Sequence, residues 1–105
     1  MVCVDDGSTD HSLDILNEYA ARDERMRVAS LARNQGISHA RNVALGMSSG
    51  EYVCMVDADD WLSADALQQA ADVLDAENDV DCVLFDFILA EYDAQQGAYT
   101  RLQRY

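Results

Sequence analysis

The chain has no lysine and no proline, and its seven arginines stand against 20 acids, for a formal net charge of −13 over 105 residues. So few cations argue against DNA or RNA as a macromolecular partner, because nucleic-acid affinity rests on basic groups that neutralise phosphates. A nucleotide is not excluded, since a bound divalent cation reverses the local sign and can hold a diphosphate among carboxylates. Long apolar runs are missing too: none approaches the roughly 20 residues needed to cross a bilayer. Met1-Val2-Cys3-Val4-Asp5 has no basic segment and turns acidic at once, unlike a secretory leader. The expectation is a chain of the cytoplasm with no transmembrane segment. Cysteine is sparse, and Cys3, Cys54 and Cys82 lie far apart in apolar segments, which fits neither a zinc site nor a disulfide framework. They are expected as buried free thiols in a reducing compartment.

What is present alternates. Met1–Val4 reads as a strand, and residues 10–22 read as a helix with Leu13, Leu16, Tyr19 and Ala20 on one face. Met26–Leu31 is a second strand candidate. A second helix is expected over Ile37–Met47, with Ala40, Val43, Ala44 and Met47 aligned, and a third strand over Glu51–Val56. Ser63 can cap a helix over residues 64–76 whose apolar face is Leu67, Ala70, Ala71 and Leu74. Asp81–Leu89 is a fourth strand candidate, near-continuously apolar as in a strand covered on both faces. Gln95, Gln96 and Gly97 suggest a turn, and Ala98–Tyr105 carries no clear signal. Strands alternating with helices predict an α/β fold with a mainly parallel sheet, flanking helices and one compact unit able to bury a core.

Two acidic clusters end apolar runs: Val4-Asp5-Asp6-Gly7-Ser8-Thr9-Asp10 and Val56-Asp57-Ala58-Asp59-Asp60. Carboxylates delivered to the C-terminal edge of a parallel sheet stand where open α/β folds bind ligands, and a cation relieves their mutual repulsion. In the first cluster Gly7 permits a tight turn, and Ser8, Thr9 and Asp10 offer acceptors to the next helix start; turn-and-cap chemistry alone would account for these, though not for Asp5 and Asp6. In the second, Asp57 and Asp59 would share one side of a continuing strand. Mn²⁺ and Mg²⁺ take such oxygen ligands, and Mg²⁺ commonly adds substrate phosphates to one or two carboxylates. A solvated strand end is the alternative. Between the clusters, Arg33, Asn34, Gly36 and Arg41 offer a close-approaching loop, a helix start and guanidinium groups suited either to phosphate or to the abundant acids. His11 and His39 have no partner at metal-ligand spacing. Trp61 could wall a sugar or base pocket, or equally pack in a core.

Taken in order, Val4 to Asp10, then Asn34-x-Gly36-x-Ser38-x-Ala40-Arg41-Asn42, then Ser49-Gly50-Glu51-Tyr52-Val53 running into Asp57-Ala58-Asp59-Asp60-Trp61-Leu62, the chain resembles the nucleotide-sugar-binding half of family-2 glycosyltransferases with the GT-A fold, over about residues 2–89. The resemblance implies a partial, Rossmann-like GT-A domain across 1–105, in which Asp5 and Asp6 contact the base and ribose. Arg33, Asn34 and Arg41 would line the nucleotide and diphosphate. Asp57 would lie near ribose and metal, and Asp59 would coordinate Mn²⁺ or Mg²⁺ on the diphosphate of a nucleotide-sugar, in first place a UDP-sugar.

The implied reaction is an inverting transfer to an acceptor hydroxyl, of the kind used in polysaccharide biosynthesis. The catalytic base is not assigned: the later carboxylates Asp86 and Asp93 match no base motif. Family members usually begin with a further strand and helix and continue into an acceptor-binding half, so the chain is expected to be truncated at both ends, with an exposed sheet edge open to self-association. A non-catalytic nucleotide-binding or assembly module working with a partner chain is the competing reading. A phosphotransferase of the haloacid-dehalogenase type is disfavoured by the residues after Asp59, and a receiver domain by the lack of lysine.

Overall fold

In the computed structural model, residues 1–77, 79–86, 88–95 and 97–104 are described, and they form two compact units, Met1–Met55 and Val56–Tyr105. The first unit is α/β, as expected. Strand β1 (Val2–Asp5) pairs in parallel with β2 (Arg27–Ser30), Val2 opposite Arg27 and Asp5 opposite Ser30. A parallel pair needs a crossover, and helix α1 (Ser12–Arg22) provides it, packing on both strands, while α2 (Ile37–Met47) packs on β1.

The sequence explains both helices. In α1, Asp14 stands in the first turn and Arg22 in the last, each at the end where the helix dipole favours its charge. The Asp10 carboxylate accepts the Ser12 N–H at 2.9 Å, which relieves one of the unpaired donors of the helix start. Leu13, Leu16 and Ala20 are half-buried, as their spacing predicts, whereas Tyr19 stays exposed with Arg22 stacked over its ring. In α2 the whole expected face, Ala40, Val43, Ala44 and Met47, is half-buried. The helix stops at Ser48, whose N–H donates to Leu45 O and whose Oγ donates to Ala44 O.

The second unit holds α3 (Ala66–Ala76) and an antiparallel hairpin of β3 (Ile88–Asp93) and β4 (Ala98–Arg104). The register shifts by one residue after Glu91, so that Tyr92 faces Tyr99. The α3 face Ala70, Ala71 and Leu74 is half-buried and Ala66 is buried, but Leu67 is exposed. Ser63 does not cap α3: Asp65 holds the cap position, and Ser63 contributes only its carbonyl, which accepts the Ala66 N–H.

Four further expectations fail. Glu51–Val56 is irregular and exposed, not a strand, and residues 81–86 are not a strand either; regular pairing begins only at Ile88. A strand exists through its ladder partners. Among the described residues nothing pairs with these two segments, while β1 and β2 pair with each other and β3 with β4. Phe87, Gln96 and Tyr105, to which the fourth strand, the turn and the tail were assigned, lie outside the described residues. The expected core is correspondingly thin: Ala66 is the single buried apolar residue among those described, and Leu84 is 91% exposed. For the same reason Cys54 and Cys82, expected as buried, are exposed, and only Cys3, on β1, is half-buried.

Candidate functional site

The end of β1 meets the end of β2 through the loops that follow each. Asp5, the last residue of β1, is buried, with 5% of its surface exposed. Its carboxylate accepts the Ser8 N–H at 3.3 Å and the Ser30 hydroxyl at 3.2 Å, and its own carbonyl accepts the Leu31 N–H. These bonds, those from Ser8 foremost, hold its pKa below the ordinary carboxylate value against the opposing effect of burial.

Asp6 reaches the other way. Its two oxygens accept the backbone N–H groups of Gln35 and Gly36, each at 2.8 Å, in a two-point clamp spanning 30 residues of chain. Gly7 makes the approach feasible. Its φ is +71°, and a Cβ there would lie 2.5 Å from the Arg33 carbonyl carbon and 2.6 Å from the Asn34 nitrogen, far inside van der Waals contact. Gly36, at φ +89°, then turns the chain into α2, and its carbonyl accepts the His39 and Ala40 N–H groups.

Of the expected site residues, Asp5, Asp6, Arg33 and Asn34 are therefore brought together at the C-terminal edge of the parallel pair, where open α/β sheets bind ligands. Arg33 and Asn34 are exposed, and the Arg33 guanidinium has no hydrogen-bond or ion-pair partner among the described residues. Arg41 lies one helical turn into α2, exposed and already engaged. Asp57 and Asp59 belong to the second unit, where the Asp60 N–H closes a turn on Asp57 O at 3.0 Å. The strand continuation that would have aligned Asp57 with Asp59 is replaced by this exposed turn. His11 pairs with Asp14 on the surface at 3.2 Å, and His39 is exposed. Ser30 and the Gln35 and Gly36 amides escaped the sequence reading: their parts depend on the parallel register and on backbone atoms, which no motif displays.

The sequence also matches known proteins. The sequence model of the family described as Glycosyl transferase family 2 matches residues 1–104. The chain belongs to that family. Its relatives include the poly(ribitol-phosphate) β-glucosyltransferase of Bacillus spizizenii, 46% identical over 64% of this chain and 11% of that protein. The chondroitin synthase of Escherichia coli is 40% identical over 78% of this chain and 12% of its own length. The glycosyltransferase GlyG of Streptococcus pneumoniae is 30% identical over 94% of the chain and 32% of its own length. The chain spans less than a third of the length of these relatives.

The donor set at Asp57 and Asp59 consists of hard carboxylate oxygens, which suits Mg²⁺ or Mn²⁺. Among the described residues no group of three or more His, Cys, Asp or Glu could hold a metal by itself. No helix among the described residues is long and apolar enough to cross a membrane.

Proposed function

We propose that both units, residues 1–105, are parts of one donor-binding domain that holds a nucleotide-diphospho-sugar, in first place a UDP-sugar, for inverting transfer to an acceptor hydroxyl. The observation that carries this reading is the Asp6 clamp on the Gln35 and Gly36 amides, which joins the first acidic strand end to the Arg33-Asn34 loop. In the proposed complex Asp5 and Asp6 face the nucleoside. Asp5, buried and ionised, is the rigid member, and Asp6 keeps free lone pairs on oxygens that already accept one bond each. Arg33, with no partner among the described residues, turns to the diphosphate alongside Asn34, and Arg41 assists from α2.

Asp59, with Asp57, would hold Mn²⁺ or Mg²⁺, and the cation when bound supplies charge stabilisation for the departing diphosphate. The exposed turn at Asp57–Asp60 supports this role, because a carboxylate at a metal–phosphate contact must be reachable from solvent. Free thiols at Cys3, Cys54 and Cys82 fit a reducing, cytoplasmic compartment.

Calorimetry with UDP and Mn²⁺ tests the reading. The chain is expected to bind UDP only with metal present, and Asp59→Ala is expected to abolish that binding. Equal binding by the variant removes the metal from Asp59. No binding by the unaltered chain rejects the donor site and leaves an assembly module that depends on a partner.

A further inference from the structure

Ser30 ends β2 directly opposite Asp5 in the parallel register, and its hydroxyl lies 3.2 Å from Asp5 Oδ2. Charge fixes the direction of that bond. The other oxygen, Oδ1, accepts the Ser8 N–H, and these bonds hold the carboxyl below its ordinary pKa, so Asp5 is ionised at neutral pH. An ionised carboxylate accepts and cannot donate. The single hydrogen of Ser30 Oγ is therefore spent on Asp5, which leaves the two lone pairs of that oxygen. No donor among the described residues takes them.

Accessibility divides the pair. Asp5 is buried with a donor on each carboxylate oxygen, whereas Ser30 is exposed. A molecule arriving at this edge of the sheet meets the hydroxyl, not the carboxylate behind it. A serine hydroxyl ordinarily rotates to donate or accept as its partner requires. This one is held as a hydrogen-bond acceptor and is polarised by the charge it points to. The adjacent negative charges of Asp5 and Asp6 disfavour phosphate oxygens at the same spot. Of a nucleoside diphosphate, the end that suits it is the nucleoside, through a base N–H or a ribose hydroxyl.

We propose that Ser30 is a specificity-determining residue of the donor site, its hydroxyl oxygen, oriented by Asp5, accepting a hydrogen from the nucleoside. Asp5 is then a positioning residue that acts on the ligand through Ser30. The proposal rests on the donor reading above and adds to it the group that recognises the nucleoside end.

Calorimetry on the full chain with Mn²⁺ compares UDP with three analogues that each lack one hydrogen-bond donor: 3-methyl-UDP, 2′-deoxy-UDP and 3′-deoxy-UDP. The first arm reports a base contact and the other two a ribose contact. For the unaltered chain, one of the three is expected to bind about tenfold more weakly than UDP. Ser30→Ala should weaken UDP by a similar factor and bind that analogue no more weakly than UDP, because the contact is already gone. Ser30→Thr, which keeps the hydroxyl and suits a strand, should retain both the affinity and the discrimination. Ser30→Cys, whose sulfur is a weak acceptor, repeats the test should the alanine variant fail to fold by circular dichroism. Undiminished UDP binding by a folded alanine or cysteine variant, discrimination that persists in it, equal binding of all three analogues by the unaltered chain, or loss in Ser30→Thr each overturns the proposal. Any of these beside intact UDP binding removes the part assigned to Ser30 and leaves the donor site; no UDP binding by the unaltered chain rejects both.

Discussion

Both carboxylate oxygens of Asp6 accept backbone N–H groups from one loop, so this side chain is structural before any ligand arrives. Replacing it with asparagine leaves one acceptor and turns an N–H₂ group against the other amide. Because a hydrogen bond to a charged group contributes about 1.5–3 kcal/mol, Asp6→Asn should cost about 2 kcal/mol in urea unfolding. Amide exchange at Gln35 and Gly36 should quicken with it; unchanged protection at both would show that the clamp does not hold the loop. Gly7 is the stricter position. A methyl group there combines a positive φ with a 2.5 Å approach to backbone that has no rotamer to yield, so Gly7→Ala should cost more than about 1 kcal/mol. If the variant unfolds at the same denaturant concentration as the parent, the close packing against Arg33 and Asn34 is wrong.

Between α1 and β2 the chain turns on Asp23, which closes the helix with its N–H on Tyr19 O and grips Arg25 through both carboxylate oxygens, the shortest contact being 2.6 Å. The Arg25 guanidinium, assisted by the Arg25 N–H, lowers the Asp23 pKa from 3.8 to about 2. A carboxylate depressed on folding lends stability that is present above pH 3.8 and is lost as pH falls through about 2. Carboxyl-detected NMR titration should find the Asp23 midpoint near 2, and Arg25→Ala should move it back toward 3.8; an ordinary midpoint in the parent chain would mean that the pair is not formed in solution.

The helices around this turn were legible because their signal is local. Ile37–Met47 is bounded in the structure where Gly36 and Ser48 bound it in the sequence, and its half-buried face is the one that helical spacing marks. Strands are not local in that sense. Glu51–Val56 and residues 81–86 have the apolar content of strands but no ladder partner among the described residues. Tyr99, in a stretch with no sequence signal, acquires one only through its register with Tyr92. The first acidic strand end was legible as a site, but the Ser30 and Gln35 contacts that build it follow from folding two strands in parallel.

For the molecule as a whole, two electrostatic effects oppose each other as pH falls. A net charge of −13 in a chain whose described residues bury so little apolar surface means strong self-repulsion, which destabilises the folded state and is weakened by salt. Lowering the pH from 7 toward the isoelectric point near 4.1 protonates ordinary carboxylates and relieves that repulsion. Asp5, Asp10 and Asp23 all hold their protons less readily than ordinary carboxylates, so their hydrogen bonds survive this first stage. Once pH drops below their unfolded value of 3.8 the balance reverses: each proton taken up by the unfolded chain must be refused by the folded one until the bonds are given up. The melting temperature is therefore expected to rise from pH 7 to a maximum at about pH 4 and to fall steeply below about pH 3.5. Added sodium chloride should raise it at pH 7 and change it little near the maximum, where there is less charge to screen. Measurements at low protein concentration keep precipitation near the isoelectric point from distorting the curve. A melting temperature that declines steadily from pH 7 would show that the hydrogen-bonded carboxylates, and not the repulsion among the remaining acids, already govern stability at neutral pH.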